Sequence, residues 1–257
     1  IFMLPHSVAT VSIATAYFTR MSTHAMERKF DELKADLSDG LRTIAMISVL
    51  ASAGLIVLAY PISRVFVGEI PSTIALGNVV IAMVVGLLPF SYVFMIQRAF
   101  YSLEDTRTPF LFTVVQTVLN IFGSIMVAIY AEHVWIVVCL SLVTSGSILV
   151  QAVLAFVMFK RKFGSLGHSH LTIATGKFVF AAVVAGLVGF GMLQLMGGAK
   201  PGAFPVLNII SAATTCAIIG GTMTLIYLTI LRFFKVPEIE VLTKPIQRLF
   251  KRWFEQD

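Results

Sequence analysis

At 257 residues, 58% apolar and only 12% charged, with a mean hydropathy of +0.91, the chain has too little polar surface to enclose a water-soluble globule. Its 19 Lys and Arg against 13 Asp and Glu give a net charge of +6, but the positive residues gather in short clusters between long uncharged runs, which argues against a nucleic-acid partner. Cys139 and Cys216 stand inside apolar runs with no CxxC or His spacing around them, so neither a disulfide framework nor a metal site is suggested.

A hydrocarbon core of about 30 Å takes roughly 20 apolar residues of helix. Stretches free of Asp, Glu, Lys and Arg run over Ile1–Thr19, Thr43–Ser63, Ile70–Gln97, Thr108–Ala131, Val134–Phe159, Phe178–Ala199 and Pro201–Leu231. None alternates as a barrel strand does, and backbone groups in lipid must pair within their own segment. The expected fold is therefore all-α and polytopic, with seven transmembrane helices.

The first span opens without a basic n-region or an A-x-A signal and reads as a helix entered part-way along, so membrane helices are expected upstream. Pro5 in this span, and Gly86 and Pro89 in the third, predict bends. Between the first two spans, Met26, Phe30, Leu33 and Leu37 recur at helical spacing opposite a charged face, which predicts a short amphipathic helix on the cytoplasmic surface. The sixth span carries Gly186, Gly189 and Gly191 and the seventh Gly220 and Gly221, small-residue faces that either permit close helix approach or leave a groove for an acyl chain. After the last span, Ile239, Leu242, Ile246, Leu249, Phe250 and Trp253 form an apolar stripe opposite Lys244, Arg248, Lys251 and Arg252. That tail is an interfacial helix or a junction to a further cytoplasmic domain. The divisions expected are 1–177, the two C-terminal helices at 178–234, and the basic tail at 235–257.

Basic residues of short loops stay on the cytoplasmic side. All of the 19 Lys and Arg except Arg64 and Lys200 fall on one side of the alternation, so the first span exits into the cytoplasm and the C-terminus is cytoplasmic. The outer loops, about Ser63–Pro71, Ala131–Val134 and Met196–Phe204, are too short to hold an active site, so a polytopic glycosyltransferase or ligase is disfavoured and no enzyme is expected. A scaffold recruiting a cytoplasmic partner through the tail remains an alternative. Every Asp and Glu lies in a loop, at a helix end or in the tail, which disfavours a proton relay in the membrane. His6 sits beside the Pro5 bend and is a candidate for facing a central cavity, while His168 and His170 are a weak metal signal in a cytoplasmic loop.

The loop between the third and fourth spans reads Arg98-Ala99-Phe100-Tyr101-Ser102-Leu103-Glu104-Asp105-Thr106-Arg107-Thr108-Pro109. Thr108 is expected to cap the next helix with Pro109 at its first position; Asp105 lies near that positive helix end, and Arg98 and Arg107 stand at the membrane surface. The run resembles the FY-[AS]-x-x-D-T-[RK]-T-P loop of the MurJ/MviN family of lipid II flippases in the MOP transporter superfamily, and Leu4-Pro5-His6-Ser7-Val8 resembles a segment of that family's eighth helix.

The resemblance covers essentially the whole chain as helices 8 to 14. It implies export of an undecaprenyl-pyrophosphate-linked peptidoglycan precursor, lipid II, across the bacterial cytoplasmic membrane by alternating access; another lipid-linked oligosaccharide flippase of the same superfamily is the alternative. It further implies a partner half outside this chain that carries the cavity arginines, contact with membrane lipids, a gate involving Arg98, Asp105, Arg107 and His6, and a lipid-tail groove along the glycines at 186, 189, 220 and 221. Some members hold a sodium ion with an Asn and an Asp one turn apart and a Thr on the next helix. Here Asn120 is followed one turn later by Ser124, with Ser141 or Thr144 as the third residue, so the carboxylate is missing; no other cofactor is implied.

Overall fold

The computed structural model describes residues 1–165, 168–200 and 202–239, and the described residues are almost wholly helical. The first element is one rod in three parts: α1 (Met3–Pro5), a π-turn (His6–Thr10) and α2 (Val11–Met26). It is followed by α3 (Phe30–Val57), α4 (Ala59–Phe66), α5 (Ile70–Val84), α6 (Leu87–Ser102), α7 (Arg107–Tyr130), α8 (Ile136–Phe163), α9 (His168–Leu195), α10 (Phe204–Leu207) and α11 (Ile209–Phe233). Among the described residues five helices, α3, α7, α8, α9 and α11, are long and apolar enough to cross a membrane, and α5 with α6, bent by 44°, passes the same test taken as one span. The predicted first span is the α1–α2 rod; the π-turn divides it into pieces each shorter than the roughly 20 residues a crossing takes.

The irregularities have local causes. Pro89 leaves Val85 without its helical donor, and the bend falls at Val85–Gly86. Pro61 does the same to Val57, and α3 ends there, with Leu58 out of helical geometry at ψ 14°. In the rod the departure from regularity lies directly after Pro5, in the π-turn His6–Thr10. At the far end Asn208 and Ser211 form a reciprocal capping box that starts α11, the Asn208 side chain accepting the Ser211 N–H at 2.8 Å.

The amphipathic segment is not a separate surface helix. It is the first part of the 28-residue α3, longer than a bilayer core requires, and Leu33 and Leu37 are fully buried in the main core. That core joins α2, α3, α6, α7 and α8, with Phe100, Phe112 and Phe159 at its centre. A second core packs α9 and α11 against α3, where buried Tyr227 donates to the Met46 carbonyl at 2.8 Å. A third, smaller one gathers Phe2, Leu55, Ala59, Val84 and Leu87. The expected division at 177/178 falls inside α9, which is one continuous helix. Beyond Ile239 the tail lies outside the described residues, as do the side chains of His168 and His170.

Residues expected on one face of the membrane meet one another. At the end expected to be cytoplasmic Lys162 pairs with Asp105 at 2.7 Å and Arg42 with Glu238 at 2.8 Å, while at the end expected to be outer Arg64 donates to the Leu207 carbonyl at 3.1 Å.

Candidate functional site

The rod at the start of the chain presents an unusual surface for a membrane helix. From Ser12 to Thr23 its exposed positions are Ser12, Thr15, Ala16, Thr19, Arg20 and Thr23, with no large apolar side chain among them. Each hydroxyl donates to the carbonyl one turn back, at 2.8 Å for Ser12 and Thr15, 3.4 Å for Thr19 and 3.2 Å for Thr23. This satisfies the proton and leaves oxygen lone pairs free to accept from water or a sugar hydroxyl. Ser7 joins the same face although it lies five residues before Ser12, because the π-turn closes i→i+5 bonds, as in Val11 N–H to His6 O, and absorbs the extra residue.

Behind this face lies a buried polar hub. Ser91 of α6 accepts from Thr10 at 3.2 Å and from Ser48 of α3 at 3.4 Å, and the His6 Nδ1 lies 3.3 Å away. His6 is only 6% exposed, with Phe90 and Phe94 rings at 4.4 and 5.1 Å. It therefore does not face an open cavity here; the π-turn rotates it into the packing between α3 and α6.

Near the C-terminal end of α6 Arg98 spreads over the Phe94 ring at 4.8 Å and lies 5.8 Å from that of Phe18 on α2, which places it between α6 and the polar face. Between α2 and α3 Asp36, almost fully buried, pairs with Arg20 at 2.5 Å, and His24 stands between Asp36 at 3.2 Å and Glu32 at 3.3 Å. The His24 contacts are electrostatic and lack hydrogen-bond alignment.

In the motif loop the helix begins at Arg107, two residues before Pro109, and the capping group is Asp105 instead of Thr108. One Asp105 oxygen accepts the Thr108 N–H at 3.1 Å; the other accepts the Thr108 hydroxyl at 2.6 Å and Lys162 of α8 at 2.7 Å. Burial alone would raise this carboxyl, but the hydrogen bonds from Lys162 and Thr108, with the Lys162 charge, outweigh it and hold the group at about 2. Glu104 turns the chain with φ +58°, and Arg107 is exposed, outside every ion pair among the described residues.

The four glycines of the expected groove divide by environment. A side chain at Gly189 would start 2.5 Å from the Met223 sulfur, so Gly189 serves close packing of α9 on α11 and is not open. Gly186 and Gly220 face Val57 and Leu58, at the break between α3 and α4, with ordinary spacing of 3.9 and 3.6 Å, and Gly221 faces open space. Of the expected sodium residues, Asn120 meets Thr144 at 3.2 Å, but through its amide nitrogen, a donor and not a cation ligand. The same nitrogen and that of Gln116 donate to Ser147 at 3.3 and 3.2 Å, so the residues form a ladder between α7 and α8, and the donor set lacks a carboxylate. Ser124 makes no bond in that ladder.

Sequence reasoning passed over the hydroxyl face because each Ser and Thr, taken singly, is explained by its own backbone bond. The missed signal was their common spacing of 3, 4 and 4 from Ser12 to Thr23.

Comparison with known proteins places this geometry. The family model described as "Lipid II flippase MurJ" matches residues 1–234. A probable lipid II flippase MurJ of Vibrio cholerae is 28% identical over 193 residues, 74% of this chain and 35% of the relative, and one of Borreliella burgdorferi is 28% identical over 130 residues, 48% of this chain and 26% of the relative. The chain thus spans about a third or less of the length of these curated relatives. A solved structure of lipid II flippase MurJ in an inward closed conformation superimposes with a TM-score of 0.67 at 20% identity, over 91% of this chain and 44% of that one. With its all-helical fold and several apolar spans, the chain is a multi-pass protein of the bacterial inner membrane, and it belongs to the MurJ family.

Proposed function

We propose that the chain forms the C-terminal half of a lipid II flippase and does no covalent chemistry: it carries an undecaprenyl-pyrophosphate-linked precursor across the membrane by alternating access. The observation that carries this reading is the Ser12–Thr23 face, a hydroxyl-bearing exposed surface on a membrane rod. Hydrocarbon offers nothing to the oxygen lone pairs on such a face, whereas a watery passage and a glycan do. The headgroup moves along it, between this half and the half that precedes it, while the apolar tail stays in lipid, since its transfer into water costs about 0.8 kcal/mol per methylene.

Gly221, which faces open space, suits a tail path along α9 and α11, which expose Val183, Leu187, Ile218 and Leu225. Arg98 and Arg107 at the cytoplasmic end supply cations for an incoming pyrophosphate, and the Asp105 clamp fixes how α7 leaves the loop that carries Arg107. The test is Thr15→Leu with Thr19→Leu in the full-length protein, read by access of the precursor to an added glycan-cleaving enzyme outside intact cells. Export should fall at least tenfold with unchanged membrane insertion; normal export would remove the passage from this face.

A further inference from the structure

The bend that Pro89 starts between α5 and α6 also receives a hydrogen bond from outside the bent helix. In an unbroken helix the Ala82 and Met83 carbonyls would accept from the Gly86 and Leu87 N–H groups. Here the Gly86 N–H has moved to Met83 O, at 3.0 Å, in a tighter turn. The Ser145 hydroxyl of α8 reaches in instead, 2.8 Å from Ala82 O and 3.3 Å from Met83 O, and Ser145 is only 1% exposed. Close approach of α8 depends on the residue at the bend: a Cβ on Gly86 would lie 3.1 Å from the Ser145 Cα, a backbone atom that cannot swing away. Gly86 and Ser145 therefore fit together as a clasp, the glycine admitting the hydroxyl and the hydroxyl serving the carbonyl that the bend sets free.

We propose that Ser145 is a positioning residue for the conformational cycle: its hydroxyl competes with backbone N–H groups for the Ala82 and Met83 carbonyls, and this competition sets the α5–α6 angle. Either partner satisfies the Ala82 carbonyl, so that carbonyl stays paired whether or not the helix straightens at Gly86. The bend does not stand alone. Leu55 and Ala59 flank the α3–α4 break, Val84 and Leu87 flank the α5–α6 bend, and all four share one apolar cluster with Phe2, which precedes the π-turn. A change of angle at Gly86 is thus felt at two other discontinuities, and through the packing of α5 on α4 and on α8 it is passed to both neighbours. The use of this motion in transport rests on the flippase reading; the clasp itself does not.

The experiment measures electron–electron distances between nitroxides at Glu69→Cys and Tyr101→Cys, on the two ends of the bent helix, in the full-length protein with Cys139 and Cys216 replaced by Ala. It needs no lipid substrate, so its result is independent of the transport assay. Straightening a 44° bend between helices of 15 and 16 residues lengthens this distance by up to roughly 3 Å. Ser145→Ala should move the distribution toward the longer distance and raise that population at least threefold. Should Ser145→Ala not reach the membrane, Gly86→Ala, which prises the same contact apart, should give the same lengthening. An unchanged distribution in whichever variant inserts overturns the proposal.

Discussion

The α2 rod and helix α7 are both exposed over much of their length, yet they show the surroundings opposite faces. Along α7 the exposed positions include Phe110, Leu111, Val114, Val118, Phe122 and Ile125, and Thr117 is the one Ser or Thr among the exposed positions. Along α2 from Ser12 to Thr23 they are Ser12, Thr15, Thr19 and Thr23 with Ala16 and Arg20, and Met26 is exposed at its end. Exposure alone therefore says nothing about solvent: α7 is dressed for lipid, and α2 for water or another polar surface. The way each is held differs as well. Ala14 and Met21 anchor α2 in the main core, whereas α7 buries only Pro109 and Phe112 and depends on polar ties at its start and along its contact with α8.

The largest expected effect comes from placing a charge on each face. An arginine at the centre of a lipid-facing helix costs about 3 kcal/mol on insertion scales, roughly a hundredfold in the inserted fraction. Val118→Arg on α7 should lose most of its membrane-inserted protein, and Thr15→Arg on α2 should insert like the parent. Equal losses, measured by quantitative blotting of washed membranes, would show that both faces meet lipid and would break the comparison.

A second contrast concerns α9 and α11, also apolar outside. Gly189→Ala must displace the Met223 side chain from 2.5 Å and should destabilise by about 1–3 kcal/mol, whereas Gly221→Ala meets open space and should be neutral or gain about 0.5–1 kcal/mol in helix propensity. Thermal unfolding in detergent orders the two. A photo-crosslinker at position 221 should then capture prenyl lipid; capture only from α3 to α8 would move the tail path elsewhere.

The tie at the start of α7 is smaller. Asp105→Ala removes a helix-capping bond and the Lys162 pair, an expected loss of about 1–2 kcal/mol in chemical denaturation. The sign with pH follows from the depressed carboxyl: a group held at about 2, below its ordinary 3.8, stabilises fully above pH 4 and loses that contribution as pH falls toward 2. The stability difference between parent and Asp105→Ala should shrink over that window, and a difference that persists at pH 2 would assign the loss to packing.

Much of this was legible in the residues, and the remainder has identifiable causes. Runs without charge marked the helices because lipid leaves the backbone no other partner, and Gly86 with Pro89 marked the bend because proline chemistry acts locally. The fusion of the amphipathic segment to α3 was not legible: between Leu37 and Thr43 no residue but Gly40 could break a helix, and Gly40 is instead kept by a tertiary contact, its missing Cβ making room for Met95 and Tyr17. Thr108 was taken as the cap because it precedes a proline, but Asp105 three residues earlier can do the same work, and only the reach of Lys162 from α8 favours it. The burial of His6 depends on a π-turn, which local sequence does not announce.

The smallest expected effect tests the glue along α7. Asn120 spans to Thr144 and Ser147 at 3.2 and 3.3 Å, and intramembrane bonds of this kind average about 0.6 kcal/mol. Asn120→Ala should thus cost well under 1 kcal/mol, because the two hydroxyls it leaves are not orphaned: Thr144 still donates to Leu140 O at 2.9 Å and Ser147 to Thr144 O at 2.8 Å. An ion site would behave otherwise. Were the amide turned so that its oxygen held a sodium ion with Thr144, the parent would be stabilised by sodium over potassium, and Asn120→Ala would abolish that difference along with a larger share of stability. Thermal unfolding of both forms in matched sodium and potassium buffers separates the cases. Cation-independent unfolding of the parent, with a small loss on substitution, makes the ladder a fastening for a lipid-facing helix; a sodium-specific shift that vanishes with Asn120 makes it a binding site and gives α7 a second role beyond meeting lipid.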